Sequence, residues 1–298
     1  MKKIGIDLGG TGIKVGAVLS GRIIYKKSRL TDLSWSFEET VDKIATLTKE
    51  VADQAGIDIA KNKSIGIGSP GLIDTAKGEV LYSNNIKWKN APLADSLKKR
   101  LGVDIKVHND AKVASLGEAV YGAGKNYKNV VLLTLGTGVG GGIIRDGKIE
   151  ETQASAGALF GHMSIDYNGR LCTCGRRGCL EAYASATALV LDAKAVMKVD
   201  NINGKDVFDA YTAGDKSAKV VISNYIKYLG EGIVNIINVY CPDAVVLGGG
   251  LSGSKEILIP ELIKYCHNKV FGAHIIKTEI LVAHLGNDAG IIGATLLE

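Results

Sequence analysis

No uninterrupted apolar run in this 298-residue chain approaches the roughly 20 residues that a membrane-spanning helix needs. The opening residues, MKKIGIDLGG, lead into an apolar strand pattern, with no signal-peptide core and small-residue cleavage site behind it. A soluble, cytoplasmic protein is expected. Linkers and low-complexity stretches are also missing, and only 22% of residues are charged against 46% hydrophobic, which excludes a disordered or fibrous chain. Such a composition can fill one large core or two lobes, and two are expected. The formal net charge of +5 does not signal a nucleic-acid partner, because the lysines are spread evenly and form only short runs such as Lys98-Lys99-Arg100. Neither GxGxxG nor GxxxxGK[ST] occurs in a strand-turn-helix setting, which weighs against Rossmann and P-loop nucleotide binding.

Cysteine is scarce too, yet three of the five fall within eight residues: Cys172, Cys174 and Cys179, with His162 ten positions upstream. Three soft thiols and one imidazole make the donor set of a tetrahedral zinc site, and Gly175 and Gly178 let the chain curl around an ion. A disulfide pair or buried free thiols would leave this clustering to chance. With all four positions taken by protein ligands there is no place for an activated water, so a structural Zn²⁺ is expected. Cys241 and Cys266 remain as thiols of a reducing compartment.

Along the chain, residues 3–8 and 13–19 read as apolar strands joined by a glycine turn, and Ser20-Gly21 turns the chain into a third strand. Residues 37–55 place Phe37, Val41, Ile44, Leu47, Val51 and Ala52 at helical spacing, with Gly56 as the stop. SIGIGSPGLID (64–74) reads as a buried strand ending in a loop, and IKVHND (105–110) as a strand opening into a helix at its carboxyl end, where α/β folds place ligands. Residues 129–149 repeat the design of 3–24: strand, glycine turn, strand, and a turn at Asp146-Gly147. Continuous helices are expected over 180–198 and 217–240, then a buried strand running into Gly248, and a last helix beginning near Asp288.

Glycines between apolar strands let backbone N–H groups approach an anion, and Thr11 and Thr137 add hydroxyls beside them. Two such turns can clamp a polyphosphate, although either turn alone is more often a tight bend. Local sequence leaves other choices open. Asn109 or Asp110 fits a helix N-cap as well as a carboxylate at a reaction centre, Asp7 fits a turn, and Glu181 fits a helix dipole.

Asp7-Leu-Gly9-Gly10-Thr11, Leu135-Gly136-Thr137-Gly138 and Gly248-Gly249-Gly250 resemble, in order and spacing, the two phosphate segments and the adenosine segment of the actin, hexokinase and heat-shock-chaperone ATPases. GIGSPGLID, Asn109-Asp110, the Gly-His-Met at 161–163, the CxCGxxGCLE run from Cys172 to Glu181, and LGNDAGIIGA narrow the resemblance to the ROK family of sugar kinases and sugar-responsive repressors. That likeness implies an α/β, two-lobed actin-like ATPase fold with a structural zinc loop. Its N-terminal lobe would cover 1–117, joined by the final helix at 288–298, and its C-terminal lobe 118–287, with the zinc loop at 162–179. It further implies an ATP-dependent hexose kinase, cytoplasmic and homodimeric, with Asp110 as general base. Asp7 would bind the Mg²⁺ of MgATP through water, and Gly9, Gly10, Thr11, Gly136, Thr137, Gly138 and Gly248 to Gly250 would hold the nucleotide. Gly71, Asn85, Asn109, Asp110, His162 and Glu181 would line the sugar. His162, held through one ring nitrogen by zinc, would offer the other to a hydroxyl. A sugar-binding sensor without efficient kinase activity is the alternative.

One departure stands out. Family kinases carry Gly-Glu-x-Gly-His where this chain has Ala158-Leu159-Phe160-Gly161-His162. Loss of a charged acceptor to a hydroxyl costs on the order of 1.5 to 3 kcal/mol. A less polar pocket, better suited to a glycoside or an altered hexose, is therefore expected.

Overall fold

The computed structural model describes residues 1–151, 156–250 and 254–297. It divides into two compact units, one made of Met1–Lys125, Gly142–Gly157 and Leu285–Glu298, the other of Asn126–Gly141 and Ala158–His284.

In the first unit, β1 (Lys2–Leu8), β2 (Gly12–Leu19) and β3 (Arg22–Leu30) form the expected antiparallel meander. Ser20 and Gly21 both take positive φ (49° and 76°), the left-handed pair that a two-residue hairpin turn requires. Helix α1 (Phe37–Ala55) begins at a capping box between Ser36 and Glu39 and stops at left-handed Gly56, and its buried face carries Val41, Ile44, Leu47 and Val51. These side chains join Ile4, Ile6, Ile13, Val15, Ile65, Ile67 and Val107 in one apolar core. Ile44 is fully buried there, so truncation to alanine would cost about 2 to 5 kcal/mol.

Strands β4 (Ser64–Ser69) and β8 (Asp104–Asn109) extend the meander in parallel, giving the sheet order β3-β2-β1-β4-β8. The residues between them hold a small antiparallel sheet, β5 (Leu72–Asp74), β6 (Glu79–Ser83) and β7 (Trp88–Ala91), and helix α2 (Leu93–Leu101). β8 runs directly into α3 (Asp110–Tyr121). The final helix, α9 (Ala289–Ala294), lies on α3 and β1, and a Cβ at Gly293 would overlap the Val113 carbonyl.

The second sheet repeats that strand order as β11-β10-β9-β12-β13. It comprises β9 (Asn129–Leu135), β10 (Val139–Arg145), β11 (Lys148–Ile149), β12 (Ala244–Gly248) and β13 (Glu279–Val282). β12 is parallel to both β9 and β13. Helices α6 (Gly204–Thr212), α7 (Lys216–Tyr240) and α8 (Lys255–Lys269) belong to the second unit, and α7 buries Val221, Ile226, Leu229, Ile233, Ile236 and Ile237.

Boundaries differ from expectation in three places, the first being the final helix, expected over 288–298 and found over Ala289–Ala294. The helix expected over 180–198 is two, α4 (Glu181–Ala184) and α5 (Ala186–Met197), because Ser185 leaves helical geometry and its hydroxyl accepts from the Ala188 N–H. The first unit reaches past residue 117 to Lys125, since α3 runs to Tyr121 and the Glu118 carboxylate accepts from the Ala123 N–H, and 142–157 also counts with it. Among the described residues no helix is long and apolar enough to cross a membrane.

Candidate active site and metal cluster

The first unit gathers two carboxylates at the ends of its parallel strands. Asp7 on β1 pairs in register with Lys14 on β2 and Gly68 on β4. Its Oδ2 accepts from Lys14 Nζ at 3.0 Å, an ion pair the local sequence gave no reason to expect. Asp110 opens α3, and its Oδ1 accepts from the Ala111 N–H at 2.8 Å. Burial raises the Asp110 pKa to about 6, and the negative charge of Asp7 pushes in the same direction, while backbone N–H groups pull against both. A carboxylate tuned to that range is mostly ionised at neutral pH and still basic enough to take a proton.

Of the two candidates for the N-cap of α3, the structure selects Asn109. Asn109 is the N-cap: its Oδ1 accepts from the Lys112 N–H at 3.2 Å while its Nδ2 donates to the Gly71 carbonyl at 3.1 Å. Asp110 is thereby freed from capping. Gly71 lies against Tyr82 and Ser83 of β6, and the buried hydroxyls of Ser69, at the end of β4, and Ser83 have no hydrogen-bond partner. Asn85, exposed on the turn between β6 and β7, sits beside Gly10. Within the glycine turn, the Gly9 N–H donates to the Gly12 carbonyl at 2.8 Å, Thr31 Oγ1 donates to the Gly9 carbonyl at 3.0 Å, and Thr11 is exposed. Asp7, Gly9, Gly10, Thr11, Gly71, Asn85, Asn109 and Asp110 therefore all belong to one unit.

The second unit holds the rest. The Gly136 N–H donates to the Gly138 carbonyl at 3.0 Å, and the start of α5 clamps this turn: the Ala186 N–H donates to the Gly136 carbonyl at 2.8 Å and Thr187 Oγ1 to the Thr137 carbonyl at 2.9 Å. Gly248 lies in register with Thr134 on β9. Gly249, at φ 96°, passes so close to the Leu135 carbonyl that any side chain would collide, so two of the glycine segments adjoin at neighbouring strand ends, with Gly250 open beside them. Glu181 Oε2 accepts from the Val139 N–H at 3.0 Å and fills the space a Cβ on Gly138 would need.

His162 closes a short 3₁₀ turn, Phe160–His162, and its Nδ1 faces Cys172 Sγ at 3.9 Å, while the Sγ atoms of Cys174 and Cys179 are 3.7 Å apart. One ligand atom from each of His162, Cys172, Cys174 and Cys179 lies within 4.8 Å of every other, so this group could hold a metal ion. A tetrahedron with metal–sulfur bonds of about 2.3 Å has sulfur–sulfur edges of about 3.8 Å, which the Cys174–Cys179 separation fits. Burial pushes the Cys179 thiol up to about 12, so a thiolate there calls for a positive partner. Nearby, Leu159 is 53% exposed and follows Ala158, whose φ of 60° is unusual for a residue with a side chain.

The sequence profile of the ROK family matches residues 3–298. The chain belongs to the ROK family. A glucokinase of Thermotoga maritima is 36% identical to it, over 99% of this chain and 96% of its own. A ROK glucokinase of Streptomyces griseus, solved with glucose and AMPPNP, superposes with a TM-score of 0.84 at 34% identity, over 100% of this chain and 99% of its own. The family also holds repressors: a xylose repressor of Caldicellulosiruptor bescii is 28% identical over 97% of this chain and 76% of its own. These likenesses support a sugar kinase with an α/β actin-like fold.

Proposed function

We propose that this ROK protein is an ATP-dependent hexose kinase that moves the γ-phosphoryl group of MgATP to a sugar hydroxyl, the 6-hydroxyl of glucose or a related hexose. The observation that carries this reading is Asp110, a carboxylate at the start of α3 with its pKa raised to about 6 beside Asp7. In the transfer, Asp110 takes the proton of the attacking hydroxyl as its oxygen bonds to the γ-phosphorus, and the bond to the β,γ-bridging oxygen breaks, leaving ADP with the electron pair. Asn109 and Gly71, already joined by a hydrogen bond, and Asn85 would orient the sugar. His162 and Glu181 are assigned to the sugar by the family resemblance.

Asp7, whose Oδ2 holds the Lys14 ammonium, would take the Mg²⁺ of MgATP through water, and that cation would neutralise charge on the phosphates. Gly9, Gly10, Thr11 and Gly136 to Gly138 would meet the phosphates, and Gly248 to Gly250 the adenosine. The clamp of Ala186 and Thr187 on Gly136 and Thr137 keeps those amides oriented before nucleotide arrives. The four-ligand cluster takes zinc in this reading, leaving His162 Nε2 for a sugar hydroxyl. Assembly as a cytoplasmic homodimer completes the proposal.

A sugar sensor with little kinase activity is the second reading, and Leu159 favours it. An exposed leucine near His162 offers no acceptor to a sugar hydroxyl. The test is ADP release from MgATP with glucose, mannose, N-acetylglucosamine, fructose, allose and a β-glucoside. Sugar-dependent turnover decides for the kinase. Zinc-loaded protein that binds a sugar yet turns none over decides for the sensor.

A further inference from the structure

Asp110 stands on a stretch of backbone that a buried histidine holds in place. His108 is the penultimate residue of β8 and is 3% exposed. Its Nδ1 lies 2.8 Å from the Asn109 backbone nitrogen and accepts that N–H. A ring nitrogen that accepts from an amide carries no proton, so in the neutral ring the proton sits on Nε2. That nitrogen faces Glu151 Oε1 at 3.3 Å. Burial lowers the His108 pKa, with the Lys112 charge adding and Glu151 opposing, so the neutral ring is favoured at neutral pH.

Asn109 is where this arrangement matters. Its side chain caps α3 and ties the helix start to the Gly71 loop, and the next residue is Asp110. The Asn109 N–H belongs to the last residue of β8, so a wandering amide would rotate the peptide that sets the direction of the cap. We propose that His108, its tautomer fixed by Glu151, is a positioning residue: it holds the Asn109 peptide so that Asn109 and Asp110 face substrate in one fixed geometry. The inference rests on the reading of Asp110 as the base. The logic is that of a ligand histidine oriented through its second nitrogen, with a backbone amide in place of the metal. A displacement of about 1 Å at a reacting group costs up to about a hundredfold in rate.

The test compares His108→Asn, His108→Ala and Glu151→Ala, with Asp110→Asn in parallel, by sugar-dependent ADP release and by calorimetric titration of nucleotide. Asparagine places Oδ1 where histidine has Nδ1, so it keeps the acceptor for the Asn109 N–H and loses the bond to Glu151. His108→Ala should lower kcat at least about tenfold with the ATP KM unchanged, while His108→Asn restores the rate to within about threefold of the parent. Should His108→Ala fail to fold, Glu151→Ala carries the test. That side chain is 62% exposed, and its loss should lower kcat without moving the ATP KM or the melting temperature. Full activity in His108→Ala, equal rates in the alanine and asparagine variants, or unchanged kcat in Glu151→Ala each overturn the proposal. Normal turnover in Asp110→Asn sinks the base assignment instead, whereas a dead Asp110→Asn beside a fully active His108→Ala sinks the positioning role alone.

Discussion

Asp110→Asn should make the protein more stable while removing its chemistry. Burial raises this carboxyl from 3.8 to about 6. A shift of about two units corresponds to about 3 kcal/mol disfavouring the ionised form in the folded state. The sign follows from linkage. With a folded pKa above the unfolded one, the unfolded chain gives up its proton first, so stability drains away as pH rises from about 4 to about 6 and then levels off. Asparagine removes the charge and keeps an oxygen for the Ala111 N–H, at the loss of about 0.3 to 1 kcal/mol of favourable interaction with the helix dipole. The net gain is about 2 kcal/mol at neutral pH, or about 4 to 8 °C in melting temperature for a unit of this size. Turnover should fall by about a hundredfold to ten-thousandfold, the usual contribution of a positioned base. Thermal melts at pH 4, 6 and 7.5, beside a coupled ADP assay, read both quantities. A variant less stable than the parent at pH 7.5, or a stability gap that ignores pH, would refute the account of the desolvated carboxylate. Stability exchanged for function in this way is common at active sites.

Three further outcomes follow from the geometry. Ala158→Gly should raise stability by about 1 kcal/mol, because φ of 60° costs alanine more than glycine, and an unchanged or lower melting temperature would contradict this. Purified protein should carry one zinc per chain by elemental analysis, and Cys174→Ser should release it and lower the melting temperature; metal-free protein with the same melting point would rule out the structural role. Leu159→Glu should lower the glucose KM about tenfold or more by restoring a charged acceptor, and no change there would show that this side chain does not meet the sugar.

Much of this was legible in the chain because several residues repeat one message. At α1, apolar spacing, the Ser36/Glu39 box and Gly56 all mark the same helix, and both meanders announce their turns through Ser20-Gly21 and Asp146-Gly147. The His/Cys cluster was readable from spacing because its three thiols are near neighbours in sequence. What stayed hidden depends on tertiary contacts. The small sheet at β5 to β7 has strands too short to show a period, and α6 is a short helix with only Val207 and Phe208 buried. Ser185 breaks a run of good helix formers because its hydroxyl caps a new helix, which composition alone does not announce. The Lys14–Asp7 pair and the clamp of Thr187 on the Thr137 carbonyl join residues whose partners only the fold selects. Local sequence suited Asn109 and Asp110 equally to capping, and only the fold shows that Asn109 takes the cap.

The central claim is that Asp110 deprotonates a sugar hydroxyl for phosphoryl transfer, and direct detection of the phosphorylated sugar by ³¹P NMR, at pH 7.5 and pH 5 with saturating MgATP, tests it most closely. The account predicts a sugar phosphate formed in step with ADP, about tenfold more slowly at pH 5, where a base of pKa about 6 is mostly protonated. No sugar phosphate from any hexose, or equal rates at the two pH values, would contradict it.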